Sequence, residues 1–189
     1  MKELSLNILD IAENSVKAKA KLTEILISEE GLGENAKLTL TIKDNGCGMS
    51  EEIRKTVTDP FYTTRTTRKV GMGLPLLKMA AEMTGGTMEV VSKWENDFPL
   101  DHGTAVTAVF FKNHIDFTPL GDVVESIITL IQGHPESDFH FSHSLDGKTL
   151  CELQTIELRQ ILEGVPLNSY EVICWIREYM REQYKESEA

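Results

Sequence analysis

Asp44-Asn45-Gly46-Cys47-Gly48-Met49 closes an alternating apolar run, and Gly71-Met72-Gly73-Leu74 opens a helical one. Upstream of both lies a helical stretch carrying Asp10, Asn14 and Lys17, and Pro60-Phe61-Tyr62-Thr63-Thr64-Arg65 stands between them. One glycine box says little, because Asp-Asn-Gly is also an ordinary turn. The four elements in this order say more. They supply a carboxylate for an exocyclic amine, an amide oxygen for a cation, glycine backbone for phosphates, and a segment to cover them.

The flanking pattern sets the fold class. Residues 4 to about 20 are expected to be helical, with Leu9, Ala12 and Val16 on one stripe. Asp10, Asn14 and Lys17, at i, i+4 and i+7, form a polar stripe beside it. Residues 23–29 and 37–43 alternate as strands around a Gly31-Leu32-Gly33-Glu34-Asn35 turn, and Asp44 is expected at a strand end whose other face is core. Ser50 caps a short helix to about Val57, and a further helix runs from Gly73 to Thr84, stopping at Gly85-Gly86. Two strands, 88–94 and 104–111, complete an α+β unit: a two-layer sandwich of a mixed sheet with helices on one face.

After Lys112 the pattern resets, and residues 113–189 are expected to form a small second domain beside a domain of residues 1–112. Thr118-Pro119 reads as the cap of an amphipathic helix with Leu120, Val123, Val124, Ile127, Ile128 and Ile131. Asp146-Gly147 marks a hairpin between 139–143 and 149–153, and helices follow at 155–162 and 169–184. Tyr170, Trp175 and Tyr179 on the final helix either fill its own core or present a docking face for a partner.

Composition narrows the partners. A net charge of −11 repels phosphate backbones and anionic lipid, so nucleic acid and membrane are excluded as main partners. The basic cluster of Arg65, Arg68 and Lys69 is then a local exception beside a glycine box, which suggests nucleotide phosphate. Cys47, Cys151 and Cys174 are odd in number and widely spaced, which suits reduced thiols in a cytoplasmic protein. No apolar run reaches the ~18 residues of a membrane span.

These boxes together resemble the GHKL superfamily of ATP-binding domains (the Bergerat fold). Pro60-Phe61-Tyr62-Thr63-Thr64-Arg65 before Gly71-Met72-Gly73-Leu74 is similar to its histidine-kinase branch. Gly103-Thr104 resembles the last element of that family. The resemblance covers residues 4 to 111. It implies that ATP and Mg2+ are the ligands, that Asn14 ligates the metal and that Asp44 binds the adenine amine. It also implies that Gly46, Gly48 and Met49 shape the base pocket and that Thr104 supports Asp44 through a water. Gly71, Met72, Gly73 and Leu74 then hold phosphates, and Phe61 and Thr63 belong to the cover. Lys17, Arg65, Arg68 and Lys69 are the implied phosphate-side cations, and a lid from Tyr62 to Met72 is expected to order with nucleotide.

Two departures bear on activity. Hydrolytic members of the superfamily carry glutamate four residues before the asparagine, whereas Asp10 is one methylene shorter. Rapid hydrolysis is therefore not expected, although Asp10 remains the candidate base. With so few residues before Leu4, the phosphoacceptor hairpin of the kinases is expected to be missing. His143, in Phe141-Ser142-His143-Ser144-Leu145, is followed by a turn where an acceptor needs helix. The expectation is a stand-alone kinase or ATPase domain that phosphorylates a partner protein in trans, or else a nucleotide-gated binding module with little catalysis. The partner is not legible, and whether the chain forms a homodimer is open.

Overall fold

The computed structural model describes residues 3–31, 33–58 and 72–188. Twelve regular elements occur among the described residues, besides a 3₁₀ turn at Gly33–Asn35. They are α1 (Leu4–Lys17), β1 (Leu22–Glu30), β2 (Lys37–Asp44), α2 (Glu51–Thr56), α3 (Gly73–Met83) and β3 (Thr87–Lys93). Then follow β4 (Gly103–Phe111), α4 (Val123–Gly133), β5 (Asp138–Leu145), β6 (Lys148–Gln154), α5 (Thr155–Leu162) and α6 (Tyr170–Glu188).

The six strands form one mixed sheet in the order β3-β4-β2-β1-β5-β6. Only β1 and β5 run parallel. The two-residue period of a strand puts Ile25, Ile27, Leu38, Leu40, Ile42, Val106, Ala108, Phe110, Phe139 and Phe141 on one buried face. In the register, Ile25 lies opposite both Ile42 and Phe141, which makes one apolar row across three strands. Helices α1, α3, α4 and α6 cover that face through Ile8, Ile11, Leu77, Ile127, Ile131, Ile176 and Met180. The opposite face is polar: Thr41 pairs with Thr107, and Glu24 reaches Lys43 at 3.2 Å. The sandwich predicted from the alternation is therefore present.

The expectation of a separate C-terminal domain is corrected by the sheet. The helix, hairpin, helix, helix order of residues 113–189 is as expected, but β5 pairs with β1 from Leu22↔Asp138 to Glu29↔Leu145. A single apolar cluster runs from Leu4 to Met180. The reason lies in β1, whose outer edge would leave a row of backbone groups unpaired without β5. The hairpin turn is as predicted, with Asp146 at φ 47° and Gly147 at φ 79°. The predicted start of α4 is not. Asp122, rather than Thr118, caps it by accepting from Glu125 N–H at 3.1 Å. Gly121, at φ 76°, breaks the helical path ahead of it. The carbonyls of Pro119 and Leu120 accept from the Leu4 and Ser5 N–H groups at 2.9 and 2.8 Å. They satisfy the start of α1, which has no side-chain cap of its own.

A buried polar cluster ties this added half to the rest. His143 on β5 is 4% exposed, with Nδ1 2.9 Å from the Tyr184 hydroxyl and Nε2 3.0 Å from Glu29 Oε1. Lys112 also donates to Glu29. The His143 hydrogen bond, followed by that of Lys112, outweighs burial and lowers the Glu29 carboxyl to about 2. A depressed carboxyl stabilises the fold above its ordinary value and loses that contribution as pH falls towards 2. We predict that the denaturation midpoint drops steeply between pH 5 and 2.5. Glu29→Gln should remove much of that acid dependence and cost on the order of 2 kcal/mol at neutral pH, read by urea titration.

Candidate functional site

The site forms where α1, the loop after β2 and the start of α3 converge. On α1, Asp10, Asn14 and Lys17 are all exposed, whereas Ile8, Ile11, Ala12 and Ser15 are buried. The predicted polar stripe is therefore real. It looks towards α3: a Cβ built on Gly73 would stand 3.2 Å from Asp10 Cβ. No side chain caps α3, whose N-cap is Met72, so its leading N–H groups face the end of this stripe as a ready anion seat. Leu74 is buried beneath that turn and Met72 is half-exposed. Lys17 makes a 3.8 Å pair with Glu13 and remains largely open to solvent.

Asp44 lies on the face of Leu38, Leu40 and Ile42, not opposite to it as expected. The parity of a strand settles this, since 38, 40, 42 and 44 project the same way. Its carboxylate therefore sits at the lip of the core and must be hydrogen-bonded. Ser15 Oγ donates to Oδ2 at 2.8 Å, while the N–H groups of Gly46 and Thr104 donate to Oδ1 at 2.9 and 3.3 Å. The support from Thr104 is thus a direct backbone bond, and its hydroxyl pairs instead with Ser92 Oγ at 2.9 Å. Ser92 Oγ in turn accepts from Met49 N–H at 2.8 Å, fixing the residue that ends the loop.

The loop is held at close quarters. Gly48 has φ 66°, and a Cβ there would come 1.9 Å from the Lys93 carbonyl oxygen. A Cβ on Gly46 would fall 2.8 Å from the Ala18 carbonyl oxygen, which accepts from Cys47 N–H at 2.9 Å. Any larger residue would push the loop off the end of α1. Asn45 Oδ1 accepts from Lys21 and Leu22 N–H, pinning the loop to the start of β1. His102 sits with Nδ1 2.6 Å from the Gly46 carbonyl oxygen.

The structure thus brings Asp10, Asn14, Asp44, Gly46, Gly48, Met49, Gly73, Leu74 and Thr104 to one region. Phe61, Thr63, Arg65, Arg68, Lys69 and Gly71, with the rest of the expected lid up to Gly71, lie outside the described residues. Ser15, Ser92 and His102 were missed. Ser15 is the residue after Asn14 and so turns to the adjacent face of α1, a hint that the helical spacing did contain. Ser92 and His102 come from strands and loops that only the fold brings near.

Comparison with known proteins agrees with this geometry. The chain belongs to the histidine kinase-, DNA gyrase B-, and HSP90-like ATPase family, whose pattern it matches over residues 2–119. It is 29% identical over 92 residues to the signal transduction histidine-protein kinase AtoS of Escherichia coli, covering 49% of this chain and 14% of that protein. It is 32% identical over 103 residues to the sensor histidine kinase YvrG of Bacillus subtilis, covering 52% of this chain and 16% of that one. The match therefore spans about a sixth or less of these relatives. The Aquifex aeolicus MutL ATPase domain, solved in complex with ADP, superposes with a TM-score of 0.54 at 16% identity. That superposition covers 86% of this chain and 70% of the MutL chain, and so reaches past the family match. It supports the fold. The chain thus carries a histidine-kinase-like ATPase domain.

Removing the hydroxyl that holds Asp44 should weaken nucleotide binding without unfolding the chain. We predict that Ser15→Ala lowers ADP affinity three- to tenfold, on the order of 1 kcal/mol, measured by calorimetry.

Proposed function

We propose that this protein binds ATP with magnesium and transfers the γ-phosphate to a partner protein in trans. The observation that carries this reading is the Asp44 carboxylate, held by three donors with the exposed Asn14 stripe beside it. A carboxylate so placed accepts a hydrogen bond from the adenine amine. Asn14 offers one neutral oxygen to magnesium, which takes few protein ligands and shares the rest with phosphates and water. Its exposure beside the α3 N-terminus suits that role. No cluster of three His, Cys, Asp or Glu occurs among the described residues, so the metal would enter with the nucleotide rather than reside alone. Lys17, Arg65, Arg68 and Lys69 are assigned to the phosphates, with Gly71, Met72 and the start of α3. Asp10 is assigned to orient the attacking group, and its short side chain suits slow rather than rapid hydrolysis. Catalysis would then rest on positioning and charge stabilisation.

Transfer in trans is favoured by the state of the five histidines. His143 is buried with both ring nitrogens engaged. His134 contacts Glu13, His140 contacts Glu152, His102 contacts the Gly46 carbonyl, and His114 accepts from Asp116 N–H. None lies within a helix. A phosphoacceptor on another protein is therefore the simpler reading. The three free thiols suit a cytoplasmic setting, and no helix among the described residues is long and apolar enough to cross a membrane.

Purified protein incubated with magnesium and γ-labelled ATP, alone and with cell lysate, tests this. The expected outcome is label on a lysate protein, none on the chain itself, and loss of label with Asn14→Ala. Tight ATP binding with neither label nor released phosphate would replace this reading with a nucleotide-gated interaction module.

A further inference from the structure

Two aromatics of α6, Trp175 and Tyr179, do not fill the core, unlike Tyr184 further along the helix. Val172, Ile173, Ile176 and Met180 do, leaving Trp175 and Tyr179 50% and 39% exposed. Their rings stack with centroids 5.0 Å apart and planes 9° apart. At 100° per residue, Glu171, Trp175, Glu178, Tyr179, Glu182 and Glu186 share one stripe about 22 Å long. All six are exposed. None of these four glutamates belongs to an ion pair among the described residues.

The helix's two arginines are turned away from this stripe. Arg177 and Arg181 bind Glu125 on α4 at 2.7 and 2.9 Å, and Arg181 also approaches Asp122 at 3.6 Å. That leaves Lys185 on the stripe's flank as the one basic side chain near it on α6. A stacked aromatic pair set among carboxylates offers apolar area, π-faces and negative charge together.

We infer that this face of α6 docks a basic, apolar segment of a partner protein. Such a segment would lay arginine or lysine heads against Glu171, Glu178 and Glu182, and seat a cation or aliphatic side chain on the Trp175 and Tyr179 rings. Charge decides against the other occupants. A second copy in antiparallel contact would set glutamate against glutamate, and nucleic acid or anionic lipid would meet like charge. The inference names the surface and chemistry of the partner contact in the proposed function. It does not depend on whether phosphate is transferred, because α6 carries no residue assigned to nucleotide.

The test uses the full chain and a 16-residue synthetic helical peptide with leucine and arginine at helical spacing, beside the same peptide with glutamate for arginine. Binding is read by calorimetry, with ADP affinity and released phosphate measured on the same samples. Saturable one-to-one binding of the basic peptide is expected, weakened about tenfold by Trp175→Ala and by the pair Glu178→Lys and Glu182→Lys. ADP affinity should be unchanged in these variants. Equal binding by the variants, binding of both peptides, or no saturable binding would overturn the inference. So would a dimer, seen by sedimentation, that Trp175→Ala abolishes. Loss of phosphate transfer with peptide binding intact would count against the kinase reading alone.

Discussion

A carboxylate at the lip of the core is the constraint on which the site depends. Asp44 continues the row of Leu38, Leu40 and Ile42 on the face that the helices cover. A charge in that position must be met by donors, or the strand end would turn out towards water. Ser15 supplies one donor from α1, Gly46 a second from the following loop, and Thr104 a third from the neighbouring strand. The same three bonds therefore fix α1, the glycine loop and β4 relative to one another. With α1 fixed, its outer stripe of Asp10 and Asn14 faces the open N-terminus of α3. The polar tip of a core strand thus organises the whole site.

The C-terminal residues are part of that organisation. Pro119 and Leu120 close the first turn of α1, α4 packs along α1, and β5 lies beside β1. His134 at the end of α4 reaches Glu13, one residue before Asn14. His143 and Tyr184 lock β5 and α6 to Glu29 at the far end of β1. The helix α6 is thus joined to α1 through α4, by continuous packing and without a linker between them.

The sequence made the strands, the hairpin turn and the polar stripe of α1 legible because each rests on local periodicity or turn chemistry. Asp146-Gly147 needs positive φ at both positions, and that requirement is visible in two letters. The glycine boxes were legible for the same reason. What was not legible depends on distant partners. Thr118-Pro119 has the chemistry of a helix start, but the carbonyls of Pro119 and Leu120 are used by Leu4 and Ser5, over 110 residues away. The reset in pattern after Lys112 resembled a domain boundary, since a hairpin looks alike whether it stands alone or joins an existing sheet edge. Ser92 and His102 reach the site through the β3–β4 pairing, which no spacing in the chain announces. Trp175 and Tyr179 fit either face of an amphipathic helix, and only the packing of Ile173, Ile176 and Met180 shows which face is free.

The central claim is that the Asp44 carboxylate reads an amine on the nucleotide base. Calorimetry of ATP against inosine triphosphate, in the native chain and in Asp44→Asn, tests it most directly, because inosine presents an oxygen where adenine presents the amine. The account predicts at least about tenfold preference for ATP in the native chain, collapsing in Asp44→Asn. Equal affinity for the two nucleotides in the native chain, or a preference that survives the substitution, would contradict it.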